Sequence, residues 1–130
     1  MNKIIDKLAW IDVKNNQLLM VRSKGKALFY LPGGKREAGE SDEAALVREI
    51  KEELSVDLVK DSLSYVGQYT APADGKAQGV DVQLTCYRAD YVGELRPDQE
   101  IETYAYLGLE DKAQCSQAVI KVLEALDEIK

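Results

Sequence analysis

The sequence predicts a mixed α/β domain in which helices cover the faces of a sheet. Three observations predict it. Strand-like apolar runs dominate the chain, one capped helical segment lies in its middle, and an amphipathic helical run closes it. At 130 residues the chain fits a single domain over 1–130, long enough to bury a core without disulfide or metal staples.

Leu8 to Val13 and Gln17 to Ser23 are apolar, partly β-branched runs, and Lys14-Asn15-Asn16 between them predicts a hairpin. Phe29 to Leu31 is a short apolar piece that stops at Pro32-Gly33-Gly34. Ser41 to Leu54 is the strongest helix. Ser41 caps it with its hydroxyl, and Asp42 and Glu43 sit at the positive end of its dipole. Tyr65 to Thr70 and Val80 to Tyr91 read as strands, joined by a loop containing Ala73-Asp74-Gly75 and Gly79. Ile101 to Leu107 is a further strand. Ser116 caps a last helix that carries Val119, Ile120, Leu123, Leu126 and Ile129 at helical spacing.

Composition narrows the function classes. A hydrophobic fraction of 45% with 31% charged residues describes a soluble globular protein. The net charge of −6, from 23 acidic and 17 basic residues, argues against nucleic acid as the partner, because phosphate neutralisation supplies most of that affinity. A small phosphorylated substrate stays open, since bound divalent cations invert the local field. There is no histidine, which excludes Ser-His-Asp triads, Cys-His pairs and histidine metal sites. Acid–base work then falls to carboxylates, Lys, Tyr or a metal-bound water. Cys86 and Cys115 form no CxxC pair and read as reduced structural thiols. Lys3, Asp6 and Lys7 interrupt any apolar leader, and no run approaches the roughly 20 apolar residues a membrane helix needs. The cytoplasm is the expected location, with no membrane involvement.

Chemistry concentrates in the central helix. At 100° per residue, Val47, Ile50 and Leu54 share one face, and Glu49, Glu52 and Glu53 share nearly the opposite one. Like charges at these spacings cost ~0.2–0.5 kcal/mol per pair on an exposed helix. Either the cluster is a solvated acidic face, or a hard divalent cation such as Mg²⁺ sits among its oxygens. Pro32-Gly33-Gly34 precedes the helix, where glycines let the backbone turn sharply and approach a ligand. Glu40 lies just before the cap, and Arg48 can brace Glu40 or a neighbouring loop carbonyl. Taken singly, each is equally a turn glycine, an exposed glutamate or a surface arginine.

Together these residues resemble the Nudix box, in the MutT-like manner. Gly34 opens it and Glu40 follows after five residues. Arg48-Glu49 follow after seven more, then Ile50, the free Lys51, the pair Glu52-Glu53 and the closing Val56. A chance match in a chain this long is on the order of one in a million at average residue frequencies. The family glycine before Val56 is Ser55 here, at a helix end that favours left-handed backbone. The box spans Gly34 to Val56. Outside it, the strand order and the terminal helix look like the Nudix α/β/α sandwich, a mixed β-sheet flanked by helices. Glu100-Ile101-Glu102 looks like the acidic segment after the late strands of that family, or is an ordinary solvated turn.

The resemblance implies Mg²⁺, or Mn²⁺ in its place, held by Glu52 and Glu53, with Glu49 and the Gly34 carbonyl as further ligands. It places Glu52, Glu49 and Arg48 in the catalytic set, with the proton acceptor among Glu49, Glu52, Glu100 and Glu102. Gly33 and Glu40 are structural members of the motif. Arg22, Glu100 and Glu102 are candidates for substrate binding, although Arg22 and Lys24 are equally read as solvated. Phe29, Tyr30, Tyr69 and Tyr87 either stack a base or belong to the core. The implied reaction is hydrolysis of a diphosphate linkage in a nucleoside diphosphate joined to another group, a nucleoside triphosphate or an ADP-ribose-like compound. The alternative is a non-catalytic Nudix module that binds a nucleotide as a sensor. The last helix and edge strands leave a homodimer open.

Overall fold

The computed structural model describes residues 3–74 and 78–129. Gly75 of the expected loop lies outside the described residues, as does the side chain of Ile129. In chain order the elements are β1 (Lys3–Ile11), β2 (Val13–Lys14), β3 (Gln17–Ser23), β4 (Gly33–Gly34), α1 (Asp42–Leu54), β5 (Asp57–Leu58), β6 (Ser64–Pro72), β7 (Val80–Arg88), β8 (Tyr91–Val92), β9 (Ile101–Leu107) and α2 (Gln117–Ile129). Short 3₁₀ turns occupy Lys60–Ser62 and Leu109–Gln114.

One sheet runs β4-β1-β7-β6 and is mixed: β1 and β7 are parallel, and the other pairs are antiparallel. A second, antiparallel sheet runs β2-β3-β9, and β5 pairs with β8. The expected hairpin is therefore corrected. Asn15 and Asn16 do form its two-residue turn, with φ of 53° and 63°, a left-handed conformation that asparagine tolerates. The turn joins β3 to β2 alone. Leu8 to Ile11 belong to the other sheet, which the chain leaves at Asp12, whose carbonyl accepts from the Leu19 amide at 3.0 Å. The expected strand over Val80 to Tyr91 also breaks, because the chain turns after Arg88 and Tyr91 pairs with Leu58.

Both faces are covered along Leu8 to Ile11 of β1 and Leu18 to Val21 of β3, which explains their continuous apolar runs. Leu8, Trp10, Leu19 and Val21 pack with Ala45, Leu46, Ile50 and Leu54 of α1. Ala9, Ile11, Leu18 and Met20 pack with Ala118, Val119, Val122 and Leu123 of α2. The result is an α/β/α sandwich with a cluster of core residues on each side of the strands. Val122, fully buried, is absent from the helical face read in the sequence. Cys86 and Cys115 are free thiols inside the α2-side core.

Both helix starts are capped by the expected serines. The Ser41 hydroxyl accepts from Ala44 N at 3.1 Å, and that of Ser116 from Val119 N at 3.2 Å. α1 ends at Ser55, whose φ of 65° is left-handed. The last carbonyls of α1 are also used: Leu54 O accepts from Arg96 N and Glu53 O from Asp98 N, each at 2.9 Å. That loop leads into β9 and carries Glu100 with it.

Candidate active site

Two glycines seat the box against the sheet. Gly33 pairs with Ala9 and Gly34 with Leu8. Gly33 has a φ of 147°, and a Cβ there would lie 2.0 Å from the Leu8 carbonyl oxygen, so only glycine fits. Its amide donates to Glu53 Oε1 at 3.1 Å. A Cβ on Gly34 would meet the Glu49 carboxyl at 2.5 Å. The bare backbone thus lets both carboxylates of α1 approach β4.

Glu53 does not lie on a solvated face as its helical position suggests, because β4 covers it and leaves it 8% exposed. Burial pushes its pKa up to about 8; the Gly33 amide opposes this, while the charges of Glu49 and Glu100 add to it. Burial also raises the pKa of Glu49, against the pull of Arg48.

Arg48 is the brace of the loop before α1. It grips Glu40 through two bonds of 2.8 Å, Nε to Oε2 and Nη2 to Oε1. Nη2 also donates to the Lys35 carbonyl at 3.1 Å, and Nη1 to Glu49 Oε1 at 3.0 Å. Glu40 accepts a further bond from Glu37 N at 2.7 Å. The Arg48 guanidinium first, and that amide second, hold the Glu40 carboxyl well below the ordinary range, at about 2. The loop has a second anchor: Arg36 bonds Asp42 and, at 2.6 Å, Asp6, while the Tyr87 phenol donates to Asp42 at 2.9 Å.

A cavity of about 500 Å³ opens beside the box. Glu49, Glu53, Glu100, Gly33 and Gly34 line one end of it, with Lys7 and Lys35 nearby. Glu52 is outside this lining, its side chain 47% exposed beside Arg48 at 3.5 Å. Arg48 is outside it as well and acts on the site through Glu49 and Lys35. Arg22 and Glu102 pair with each other at 3.2 Å, and neither lines the cavity. The acidic segment is therefore split: Glu100 faces the cavity, Ile101 is buried and Glu102 holds Arg22. Of the aromatics, Tyr30 lines the cavity, Phe29 is in the core, Tyr69 packs against the core and Tyr87 serves Asp42. Lys7, Tyr30, Asp74 and Ser116 of the lining belong to no motif, and strand alternation on β1 is the only local sign of Lys7.

Among the described residues no three acidic side chains are already gathered into a metal cage. The donor set nevertheless fits a hard divalent cation: a buried carboxyl with a strongly raised pKa, two carboxyls near it, and backbone of two glycines alongside. Such an ion offsets the desolvation that burial imposes on Glu53.

The sandwich, the glycine-backed carboxylates and the Arg48 brace define a domain of the Nudix type. A model of the NUDIX domain matches residues 8–124, and the chain belongs to that family. It is similar to an ADP-ribose pyrophosphatase of Methanocaldococcus jannaschii, 33% identical over 99 residues that cover 74% of this chain. The match spans 57% of that protein's length. Among solved structures, the E. coli ORF135 protein is 26% identical with a TM-score of 0.74, covering 98% of this chain and 91% of that one. A MutT NUDIX hydrolase from Burkholderia pseudomallei shares the fold with a TM-score of 0.76 at 24% identity, covering 99% and 100% of the two chains. Among the described residues no helix is long and apolar enough to cross a membrane.

Proposed function

We propose that this chain is a divalent-metal-dependent pyrophosphohydrolase that cleaves a diphosphate linkage in a nucleoside diphosphate joined to another group. The observation that carries the reading is the convergence of Glu49, Glu53 and Glu100 on one cavity, backed by the Gly33 and Gly34 backbone. Similarity to the ADP-ribose pyrophosphatase supports the same reaction class.

Glu53, Glu49 and the Gly34 carbonyl are the groups to hold Mg²⁺, with Glu52 joining by a turn of its exposed side chain. The ion, when bound, neutralises the diphosphate and lowers the pKa of water. The chain's own part is positioning and proton transfer. The Arg48 brace holds Glu49 beside Gly34. Lys7 and Lys35 supply positive charge for the substrate's phosphates. Water oxygen bonds to one phosphorus and the bridging oxygen leaves with the other, while the water proton passes to Glu49 or Glu100.

Initial rates with Mg²⁺ and a panel of nucleoside triphosphates, ADP-ribose and nucleotide sugars test the reading. Turnover is expected, and Glu53→Gln lowers it by at least about 100-fold. Nucleotide binding without turnover on any compound would replace this reading with the sensor module.

A further inference from the structure

The cavity has a second end. Its lining runs from the box carboxylates across β1 and β7, through Ile5 and Val82, to Tyr30, Asp74 and Ser116 at the start of α2. The sheet register gives the span. Gly34 lies opposite Leu8, whereas Pro72 lies opposite Asp81, which in turn pairs with Ile4. Four residues of strand separate the two levels, roughly 13 Å at ~3.3 Å each. Asp74 lies two residues beyond Pro72. This is about the reach of an extended nucleotide from its phosphates to the edge of its base.

Asp74 is a fixed acceptor. Its Oδ2 accepts from the Gln117 amide at 2.9 Å, and Oδ1 sits 3.4 Å from Gln117 Nε2. These bonds hold the carboxylate at the start of α2, where Asp74 lines the cavity and keeps further acceptor capacity. Tyr30 is close enough for the charge of Asp74 to act on its phenol. An aromatic ring and a locked carboxylate at this end select for a planar group that donates hydrogen bonds. A carbonyl oxygen in the same place would face a second acceptor, which costs more than a missing contact.

We propose that Asp74 is a specificity-determining residue that accepts a hydrogen bond from an exocyclic amino group of the base, so that the cavity prefers amino-bearing bases, cytosine and adenine, to their oxo counterparts. This rests on the reading of the other end as the diphosphate site.

The test compares pairs that differ at that group alone. kcat/KM is measured for CTP against UTP, and the dissociation constants of CMP and UMP are measured by calorimetry with Mg²⁺ present. The wild-type protein is expected to favour the cytidine compound by about tenfold. Asp74→Asn, whose carboxamide can still accept from Gln117 while offering its NH₂ to an oxo group, is expected to abolish or invert the preference. A merely structural role for Asp74 would move both substrates together and leave the ratio unchanged. An unchanged ratio, or equal binding of both nucleotides by the wild-type protein, overturns the proposal. The binding arm separates the two readings: absent turnover with an amino preference that Asp74→Asn removes supports this inference while overturning the hydrolase reading.

Discussion

Gly34 has no room for a side chain, and the neighbour that denies it is the movable tip of Glu49 rather than backbone. Gly34→Ala therefore displaces the carboxylate more readily than it unfolds the protein. The expected outcome is a turnover loss of about tenfold or more with a melting temperature close to that of wild type, read from rates and a thermal scan of the same sample. Two other carboxyls set opposite responses to pH. Glu53, with its pKa at about 8 against an ordinary 4.5, keeps its proton in the folded state after the unfolded chain has lost it. Unfolding then releases a proton, so the metal-free protein loses stability as pH rises from about 4.5 to about 8. Glu40 runs the other way. Its pKa of about 2 means that its contribution is present above 4.5 and is lost as pH falls towards 2. Urea midpoints measured across pH are expected to show both slopes, with Glu53→Gln flattening the alkaline one and Glu40→Gln the acid one. Added Mg²⁺ is expected to raise the midpoint more at pH 8 than at pH 6, because the ligands must be deprotonated.

At the end of α1, Ser55 occupies the left-handed cap that glycine adopts without strain. Relief of that conformation is worth ~1–2 kcal/mol. The extra freedom glycine brings to the unfolded chain takes back ~0.4–1 kcal/mol. Ser55→Gly is thus expected to raise stability by up to about 1.5 kcal/mol in denaturant melts and to leave kcat unchanged. This position was legible in the sequence, as were the two serine caps, the bounds of β9 and the grip of Arg48 on Glu40. Each follows from contacts within a few residues or from the fixed spacing of the box. The departure of the chain into a new sheet at Asp12, the pairing of β5 with β8 and the burial of Glu53 under β4 were not legible. They depend on partners far along the chain, which local periodicity does not encode. The cavity illustrates the same divide: Gly33, Gly34, Glu49 and Glu53 carry a motif, whereas Lys7 and Asp74 are brought there by the register of β1, β6 and β7, and Tyr30 by its bridge to Val21.

Across the whole molecule, β1 and β3 give alternate side chains to the two core clusters, so neither cluster can come apart alone. Trp10, the single tryptophan, is fully buried on the α1 side. Its fluorescence and the far-ultraviolet circular dichroism of the whole chain are expected to give one coincident unfolding transition. Leu46→Ala, which empties a fully buried position under α1, is expected to lower stability by about 2–5 kcal/mol and to move both signals together. Separate transitions would mean that the two faces of the sandwich behave as independent units.

The parallel pairing of β1 with β7 also bears on the order in which the chain acquires its structure. β1 is an interior strand, flanked by β4 and β7, and Lys3 finds its partner only at Val80. Contacts this distant are slow to form, because a long loop must close before they give anything back. During synthesis β1 leaves the ribosome well before β7 and cannot take its final place until β7 has followed it. A strand made before its partner is therefore among the last to be secured, and until then its apolar run remains available to chaperones.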